Sequence, residues 1–525
     1  MIIVYTTIPL HLRYEQIHFS YPYLRGIVNL TKKYSKVLIE IEAQITSILF
    51  NFVLGLNILF ALFVVFWERR DAGASWAWLL VLFFFPVAGF ILYLILGRTL
   101  RRAHHFEWEG REKIGIDAIL KNQQEQLNLN QFDFRNQITE ENKDLIYMHL
   151  RTNDAVLTED NSVEIFTDGN EKFAQLFEDI RAAKDHIHIQ YYILKKDELG
   201  KKFIDLLTLK AEEGVTVRVL YDELGSRGLT KRFFKEFRKA GGLIEVFFPS
   251  KLPFINLRLN FRNHRKLVII DGRIGYIGGF NVGDEYLGLN PKFGYWRDTH
   301  LRIQGSAVYT IQTVFILDWN EASKHHDIGF VPKHFPEIHA PCDSIGMQIV
   351  TSGPDSKWEQ IKNGYIKLIM SAKDSILIQT PYFVPDASLL DALRIAALSG
   401  IKVSLMIPNK PDHMFVYWAT YSYIGELLEA GATIYIYDNG FLHAKTIIVD
   451  NETASVGTSN IDMRSFKLNF EVNAFIYDGK FANALTNSFE EDIKVSKQLT
   501  LEDYHKRSLW LRFKESISRL LAPIL

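Results

Sequence analysis

The chain has 525 residues, of which 48% are hydrophobic and 23% are charged, and this composition excludes a disordered, collagen-like or low-complexity protein. Its 60 Lys and Arg residues against 61 Asp and Glu give a formal charge of −1, so any attraction to nucleic acid or to an anionic surface must be local. The single cysteine, Cys342, excludes an intramolecular disulfide and a cysteine-based zinc site.

Two long uncharged runs near the N-terminus predict a membrane anchor. Residues 45–67 and 76–96 contain no charged side chain, and each run is long enough, at 1.5 Å per residue, to cross a hydrocarbon core of about 30 Å. Pro86 in the second run is tolerated in lipid because neighbouring groups can satisfy the freed carbonyls. We therefore expect a two-helix transmembrane hairpin, with helix 1 at 45–67 and helix 2 at 76–96, preceded by a segment of unknown role at 1–44.

Basic residues beside the two spans predict their orientation. Four of them precede the first span, five follow the second, and the loop between the spans holds two. These residues are Arg25, Lys32, Lys33 and Lys36 before the first span, Arg98, Arg101, Arg102, Arg111 and Lys113 after the second, and Arg69 and Arg70 in the loop. The positive-inside rule therefore predicts a multi-pass protein of the cell membrane with both termini and the larger part of the chain on the cytoplasmic side.

Beyond a polar, helix-prone linker at 97–145, the chain repeats itself. The segment AKDHIHIQYYI starts at Ala183, and the similar AKDSILIQTPYF starts 189 positions later at Ala372. In both copies two helix-plus-strand units follow. Strands alternating with helices predict an α/β fold with two similar lobes, at 146–335 and 340–505, each with a mixed sheet flanked by helices.

Each copy also carries four polar residues at the same spacing, in which His is followed by Lys at +2, Asp at +7 and Asn at +17. The first set is His264, Lys266, Asp271 and Asn281, and the second is His443, Lys445, Asp450 and Asn460. With residue frequencies of about 5–6% each, two such sets arise by chance with a probability below about one in 10⁵. The duplication therefore indicates a shared chemical function.

The spacing suggests what these residues do. A His and a Lys two apart on a strand point to one face of the sheet, and an imidazole beside an ammonium suits a phosphodiester, because the cation neutralises phosphate oxygens while the imidazole attacks phosphorus or moves a proton. Two such units, brought together, supply a nucleophile and an acid. Asp271 and Asp450 end buried strands at turns, where either a structural or a chemical role is open.

The duplicated HxK(x)4D(x)6G-x-x-N pattern is similar to that of the phospholipase D superfamily, and the membrane segment ERRDAGASWAWLLVLFFFP resembles that of bacterial cardiolipin synthases. Further matches are GGFNVGDEYLG from Gly278, YWRDTHLRIQG from Tyr295, QTPYFVPD from Gln379 and SNIDMRSFKLNFE from Ser459. Together they cover nearly everything after residue 45.

This resemblance implies a reversible phosphatidyl transfer between two phosphatidylglycerol molecules, which gives cardiolipin and glycerol through a phosphohistidine and needs neither a metal nor another cofactor. It implies that His264 is the nucleophile and His443 the acid and then the base, with the reverse assignment open. It also implies that Asp298 and Glu471 hydrogen-bond the imidazoles and fix their tautomers. The groups expected to bind phosphate oxygens are Lys266, Lys445, Asn281 and Asn460.

Other functions stay open at this stage. A hydrolytic phospholipase D, or another phosphatidyltransferase such as a phosphatidylserine synthase, fits the same motifs. A nuclease is disfavoured by the near-zero net charge and the hairpin, and a catalytically dead scaffold would require a broken motif. The expected partners are the two lipids and the bilayer, without nucleic acid, and the oligomeric state is open. Structural or surface roles are expected for His186, His188, His300, His325 and His326.

The C-terminal segment, 506–525, predicts a basic amphipathic helix. Its apolar residues recur at helical spacing, and five basic residues against one acidic residue give it a charge of +4. The apolar residues are Leu509, Phe513, Ile517, Leu520 and Ile524. Such a helix either lies on anionic lipid or packs on the lobes, and amphipathicity alone does not separate the two.

Overall fold

A computed structural model describes residues 22–66, 72–96, 115–249, 260–338, 343–410 and 412–522. The chain divides into two compact units, Met1–Tyr93 and Leu94–Leu525. The helices of the N-terminal part are α1 (Pro22–Phe66), α2 (Ala72–Phe84) and α3 (Pro86–Leu96).

Helix α1 is longer than the predicted span. It begins at Pro22, whose fixed φ suits the first helical position, and its 45 residues extend about 68 Å at 1.5 Å per residue. Within it, Asn29–Leu62 is the one helix of the described chain that is long and apolar enough to cross a membrane. The predicted span 45–67 lies in this helix except for Trp67, which is outside the described residues.

The second uncharged run, 76–96, is divided by Pro86. Helix α2 has 13 residues and α3 has 11, with a bend at Phe85 between them. Proline lacks an N–H group and disfavours the helical conformation in the residue before it, so the helix breaks there. The second predicted span is therefore two shorter helices.

Within the N-terminal unit, both of these helices contact α1. Asn57 Nδ2 donates to the carbonyl of Leu82 in α2 at 3.4 Å. The ring of Phe60 lies 5.2 Å from that of Phe90 in α3, at a steep interplanar angle. A polar contact and an aromatic contact thus hold α1 against the segment that follows it.

The larger unit alternates helices and strands, as the repeats predicted. Its helices are α4 (Ile116–Asn128), α5 (Gln137–Glu141), α6 (Lys143–Asn153), α7 (Gly169–Ala182), α8 (Glu198–Glu212), α9 (Lys235–Lys239), α10 (Ala307–Ala322), α11 (Gln360–Ser371), α12 (Ala387–Leu398), α13 (Met414–Glu429), α14 (Met463–Lys467), α15 (Gly479–Lys494), α16 (Leu501–His505) and α17 (Leu509–Leu521).

Its strands are β1 (Thr158–Phe166), β2 (His186–Tyr191), β3 (Thr216–Asp222), β4 (Leu243–Phe247), β5 (Arg262–Asn263), β6 (Leu267–Ile270), β7 (Ile274–Gly278), β8 (Trp296–Arg297), β9 (His300–Gln304), β10 (Ile345–Ser352), β11 (Ser375–Gln379), β12 (Phe383–Val384), β13 (Lys402–Pro408), β14 (Thr433–Tyr437), β15 (Phe441–Leu442), β16 (Thr446–Val449), β17 (Thr453–Gly457), β18 (Ile461–Asp462), β19 (Asn469–Tyr477) and β20 (Ser496–Leu499).

The sheet confirms two similar α/β halves with mixed strand directions. In the first half, β4, β3 and β2 are parallel, and β6, β7 and β9 continue antiparallel. In the second half, β14, β13 and β11 are parallel, and β16, β17 and β19 continue antiparallel. The halves join edge to edge through β1 and β10 into one sheet of 16 strands. The repeat in the sequence thus becomes a continuous sheet, because pairing covers the exposed edge of each half.

Local sequence signals set the ends of the helices that cover this sheet. Asp168, Asp197 and Asp386 precede α7, α8 and α12, and each accepts hydrogen bonds from backbone N–H groups of the first turn. Gly400 follows α12 with a φ of 93°, a conformation that costs glycine little. These caps fix where each helix meets the next strand.

Part of the segment expected as a linker belongs to the packed unit. Residues 97–114 lie outside the described residues, but Leu120 of α4 and Leu145, Ile146 and Leu150 of α6 are buried in the same apolar core as α11 and α12. Amphipathic helices of this kind are stable when one face finds a core. Helices α4 and α6 thus cover the second half of the sheet.

Candidate active site

The fold brings His264 and His443, the histidines of the two His-x-Lys units, to one cavity. His264, Arg265 and Lys266 occupy the break between β5 and β6, and the second unit occupies the equivalent break between β15 and β16. The prediction that these units lie within a strand was therefore wrong. Instead, the His264 N–H donates to Phe470 O of β19 at 2.9 Å, and the His443 N–H donates to Arg297 O of β8 at 2.7 Å. Each histidine is thus held at its backbone by a strand from the other repeat.

Each imidazole also takes its carboxylate from the other repeat. His264 Nδ1 lies 2.9 Å from Glu471 Oε2, and His443 Nδ1 lies 2.6 Å from Asp298 Oδ2. Both carboxylate side chains are fully buried. A carboxylate at Nδ1 favours the tautomer that carries its proton there and leaves the lone pair on Nε2. One repeat alone would therefore contain a histidine without its orienting group.

The two carboxylates are themselves held in different ways. Glu471 accepts from Thr458 Oγ1 at 2.6 Å and from Asn469 Nδ2 at 3.1 Å, whereas Asp298 accepts from the Thr299 N–H at 2.8 Å. The position equivalent to Thr458 in the first repeat is Gly279, where a Cβ would lie 1.8 Å from Asp298 Oδ1. Sequence reasoning missed this pair, although both residues stand 15 positions after their histidine.

Burial sets the protonation of the site. It lowers the pKa of His264 to about 4, even though Glu471 raises it. Burial, and next Lys445, also lower the pKa of His443. Burial alone would raise the pKa values of Glu471 and Asp298, but the neighbouring cations and imidazoles hold both below their usual range. At neutral pH these four groups are therefore two carboxylates and two neutral imidazoles.

The two lysines lie beside the histidines and are buried. Lys266 Nζ donates to His264 O at 2.6 Å, and Lys445 Nζ donates to His443 O and lies 2.9 Å from His443 Nδ1. Asp298 Oδ2 lies closer to Nδ1, at 2.6 Å, so we assign the proton to Nδ1, which donates it in a hydrogen bond to that carboxylate. Burial lowers the pKa of Lys266 to about 7 and that of Lys445 to about 8. An approaching anion would favour their charged forms.

The predicted asparagines line the same cavity as the histidines. Asn281 Oδ1 accepts from the Ile193 N–H at 3.0 Å, and its Nδ2 donates to Tyr286 Oη at 3.1 Å. Asn460 is also buried, and its Oδ1 has no hydrogen-bond partner in the described part of the chain. The first amide is held by the scaffold, whereas the second leaves an oxygen uncommitted.

The cavity has a volume of about 360 Å³ and contains groups that the sequence did not reveal. Arg262 and Arg464 line it and add cationic charge. Two aromatic rings lie against the imidazoles, with Tyr192 at 4.9 Å from His264 and Trp296 at 5.2 Å from His443, between ring centres. Tyr192 lies in the loop after β2 and Trp296 in the two-residue strand β8. Such segments are too short and irregular for residue spacing to predict where a side chain points.

Asp271 and Asp450 lie at the far ends of β6 and β16 from the imidazoles. The Asp271 carboxylate accepts from the backbone N–H groups of Lys184, Asp185 and His186 at 2.8–2.9 Å. The Asp450 carboxylate accepts from the three equivalent N–H groups at 2.8 Å. Asp271 follows Lys266 by five positions, which span about 16 Å of extended chain. This arrangement explains why Ala-Lys-Asp recurs in both repeats, and it gives the two aspartates a role in holding backbone.

The five other histidines considered in the sequence analysis do not line this cavity, whereas His413 does. His186 and His188 are buried and share the side chain of Gln312, and His300 is buried as well. His325 and His326 are exposed. These placements agree with the structural and surface roles predicted for them. Within the described ranges, no group of three His, Cys, Asp or Glu residues could hold a metal ion.

Comparisons with known proteins show which family this chain resembles. A family model described as "Cardiolipin synthase, PLD-like domain" matches residues 176–298 and 365–493, and one described as "Phospholipase_D-nuclease N-terminal" matches 55–98. The major cardiolipin synthase ClsA of Bacillus subtilis is 70% identical over 92% of this chain and its own full length. A cardiolipin synthase of Listeria welshimeri is 60% identical over 90% of this chain and 98% of its own.

A solved structure shares the fold at low identity. The phosphatidylserine synthase of Haemophilus influenzae superposes with a TM-score of 0.55 at 16% identity, over 74% of this chain and 96% of its own. The duplicated motif, the paired histidines in one cavity and the match along nearly the whole chain agree with one another. On these grounds the chain belongs to the cardiolipin synthase family, the phosphatidyltransferases of the phospholipase D superfamily.

Proposed function

We propose that this enzyme joins two phosphatidylglycerol molecules into cardiolipin and releases glycerol, through a phosphatidyl group held on His264. The observation that carries the proposal is the pair of imidazoles on one cavity, each with a carboxylate at Nδ1 and therefore with Nε2 free to react. One nitrogen can attack phosphorus while the other moves a proton. That division of labour is what a two-step transfer requires.

In the first step, His264 Nε2 attacks the phosphorus of one phosphatidylglycerol. A P–N bond forms, the P–O bond to the terminal glycerol breaks, and the leaving oxygen takes a proton from His443 Nε2. The pKa of about 4 supports His264 as nucleophile, because the imidazole is then unprotonated at neutral pH. The negative phosphodiester favours the protonated form of His443 when the lipid is bound.

In the second step, a hydroxyl of another phosphatidylglycerol gives its proton to His443 and attacks phosphorus. The P–N bond breaks, cardiolipin is released and both histidines return to their starting states. We assign Lys266, Lys445, Asn281 and Asn460 to the phosphate oxygens. Arg262 and Arg464 add positive charge in a cavity that must also accommodate the phosphate of the second lipid.

The acceptor decides between transfer and hydrolysis. Water is present at about 55 M, so a transferase must favour a lipid hydroxyl through proximity and exclusion of water. Leaving group and acceptor are both primary alcohols, so the exchange is nearly energy-neutral and needs no nucleotide. A hydrolytic phospholipase D or a phosphatidylserine synthase would use the same histidines with a different acceptor.

Purified enzyme given phosphatidylglycerol alone, without CTP or CDP-diacylglycerol, is therefore expected to form cardiolipin and glycerol in equal amounts. Given cardiolipin and isotopically labelled glycerol, it should form labelled phosphatidylglycerol. Mass spectrometry of the lipids measures both directions, with the His264→Ala variant as the control. Phosphatidic acid without cardiolipin in the first incubation, and phosphatidic acid without labelled phosphatidylglycerol in the second, would identify a hydrolase instead.

We also propose that α1, α2 and α3 anchor the enzyme as a transmembrane hairpin with the lobes on the cytoplasmic side. The proposal is supported by the long apolar part of α1 and by the contacts that α2 and α3 make with it. It is further supported by the four and five basic residues that flank the two runs, against two in the loop.

For this topology we expect an Ala74→Cys variant to react with a membrane-impermeant thiol reagent in intact cells. The parent chain, whose single thiol is Cys342, is the matched control and should react only after the cells are opened. Labelling is measured as a mass shift on a gel. Labelling of Cys342 in intact cells, with Ala74→Cys protected, would reverse the orientation.

A further inference from the structure

The C-terminal helix α17 packs on the protein with its polar side inward. Glu515 and Ser518 are 3% and 0% exposed against α13, whereas Leu509 is 82%, Phe513 55% and Leu520 70% exposed. A salt bridge stabilises the inward side, where Arg507 Nη1 lies 2.5 Å from Glu515 Oε1. A helix that folds on a soluble protein normally buries its apolar stripe. Of the two alternatives that the sequence left open, α17 does pack on the protein. It does so with its polar side, and its apolar stripe stays exposed.

The first turn of α13, the helix on which α17 packs, also exposes apolar side chains. Met414 and Phe415 are each about half exposed there. Lys514 Nζ of α17 lies 5.0 Å from the ring centre of Trp418 in α13 and 5.2 Å from that of Trp510 in its own helix. The two helices thus form one continuous surface, which we call the α13–α17 face. Its large apolar residues are Met414, Phe415, Leu509, Trp510, Phe513 and Leu520.

The charge around this face indicates what covers it. The segment 506–525 carries a charge of +4, and Arg512 and Lys514 lie among the exposed apolar side chains. Basic residues beside Trp, Phe and Leu on one side of a helix are typical of helices that lie in the headgroup region of anionic bilayers. A second copy of the chain would bring a like-charged face against this one, which costs free energy.

The face also adjoins the active-site cavity. Val416 and Ala419 of α13, and Ala522 directly after α17, line the same cavity as His264 and His443. A cavity of about 360 Å³ has room for the glycerol phosphate headgroup of a lipid but not for its two acyl chains as well. A lipid could therefore place its phosphate at the imidazoles while its chains stay in the membrane beside α13 and α17.

We propose that the α13–α17 face inserts into the headgroup region of an anionic bilayer and sets the mouth of the cavity at the level of the lipid phosphates. The proposal rests on the function proposed above and adds to it the surface that receives the substrate. The N-terminal helices would keep the enzyme at the membrane, and this face would orient it there. Without docking, the second phosphatidylglycerol would have to leave the bilayer to reach the site.

The first test measures contact with lipid directly. Full-length enzyme carrying Cys342→Ser and a single new cysteine is labelled with an environment-sensitive fluorophore and placed in nanodiscs of phosphatidylcholine and phosphatidylglycerol with brominated acyl chains. We expect bromine quenching for Phe513→Cys and Leu520→Cys. The matched control is Leu398→Cys on α12, which is 69% exposed and should not be quenched.

Three results of this test would overturn the proposal. If the fluorophore at Leu520→Cys emits at the wavelength it has in water, with equal intensity with and without bromine, the face is not covered. A blue-shifted emission without quenching would place another part of the chain over it. A disulfide between two Leu520→Cys chains, without quenching, would show a second copy there.

The second test measures the consequence for catalysis. The double variant Phe513→Ser with Leu520→Ser should form cardiolipin at least about tenfold more slowly from phosphatidylglycerol in vesicles, because two large apolar anchors are lost. On short-chain phosphatidylglycerol dissolved below its micelle concentration, its rate should be unchanged. The control pair is Leu209→Ser with Leu398→Ser, on exposed positions of α8 and α12.

Equal losses on both substrates would show that the two residues support the fold, and no loss on vesicles would show that the face is not needed; either result overturns the proposal. The failure of the proposed function looks different. In that case the parent enzyme forms no cardiolipin from either substrate, while the quenching experiment still reports whether the face touches lipid.

Discussion

Replacing either His264 or His443 by alanine is expected to lower cardiolipin formation by about 10⁴-fold or more, because each change removes one half of a nucleophile–acid pair that acts as a unit. The measurement is the rate of cardiolipin formation from phosphatidylglycerol by purified enzyme. His186→Ala is a matched control for the loss of a buried histidine, since it lies away from the cavity. It should reduce thermal stability more than the rate of the folded enzyme.

The two histidines can be told apart with an activated substrate. In a phosphatidyl ester of nitrophenol, the leaving group is a far weaker base than glycerol alkoxide and needs no acid. With this substrate, His443→Asn should release a burst of one nitrophenol per enzyme and then stall with the phosphatidyl group on His264. His264→Asn should give no burst. An acid-labile adduct mapped to His443 would reverse the two roles.

The parts of this protein that depend on neighbouring residues in the chain could be predicted from the sequence. The spacing from His264 to Asn281 and its repetition indicated the site, and the Asp after each buried strand indicated a turn, although its role stayed open between structure and chemistry. The same holds for the alternation of helices and strands. These features are local, so a pattern of a few residues contains the physical information that determines them.

The parts that depend on contacts between distant residues could not be predicted. No local pattern shows that β5 pairs with β19 or that β8 pairs with β15, and these pairings decide which carboxylate meets which imidazole. Gly279 and Thr458 have different side chains at equivalent positions because Asp298 and Glu471 differ in reach. The direction in which α17 faces depends on its partner helix, since amphipathicity alone allows either side to pack inward.

The exchange of carboxylates between the repeats leads to the second large effect. Glu471→Gln and Asp298→Asn should each lower transfer by about 10²–10⁴-fold. An amide keeps the shape of the side chain but can donate to Nδ1, which favours the wrong tautomer, and it does not stabilise an imidazolium. The control is Asp271→Asn, at a position about 16 Å of extended chain away from Lys266. This change weakens the hydrogen bonds that Asp271 accepts from backbone N–H groups, so it should mainly lower the melting temperature.

The nitrophenyl ester then tests which imidazole each carboxylate serves. Since Glu471 contacts His264, Glu471→Gln should slow the burst, the step in which His264 attacks. Since Asp298 contacts His443, Asp298→Asn should leave the burst nearly intact and slow the turnover that follows it, in which His443 acts as base. Adding Glu471→Gln to His264→Ala should cost little more, because that carboxylate acts through an imidazole already removed. If Asp298→Asn abolished the burst and Glu471→Gln preserved it, each carboxylate would serve the histidine of its own repeat, and the exchange would have no part in catalysis.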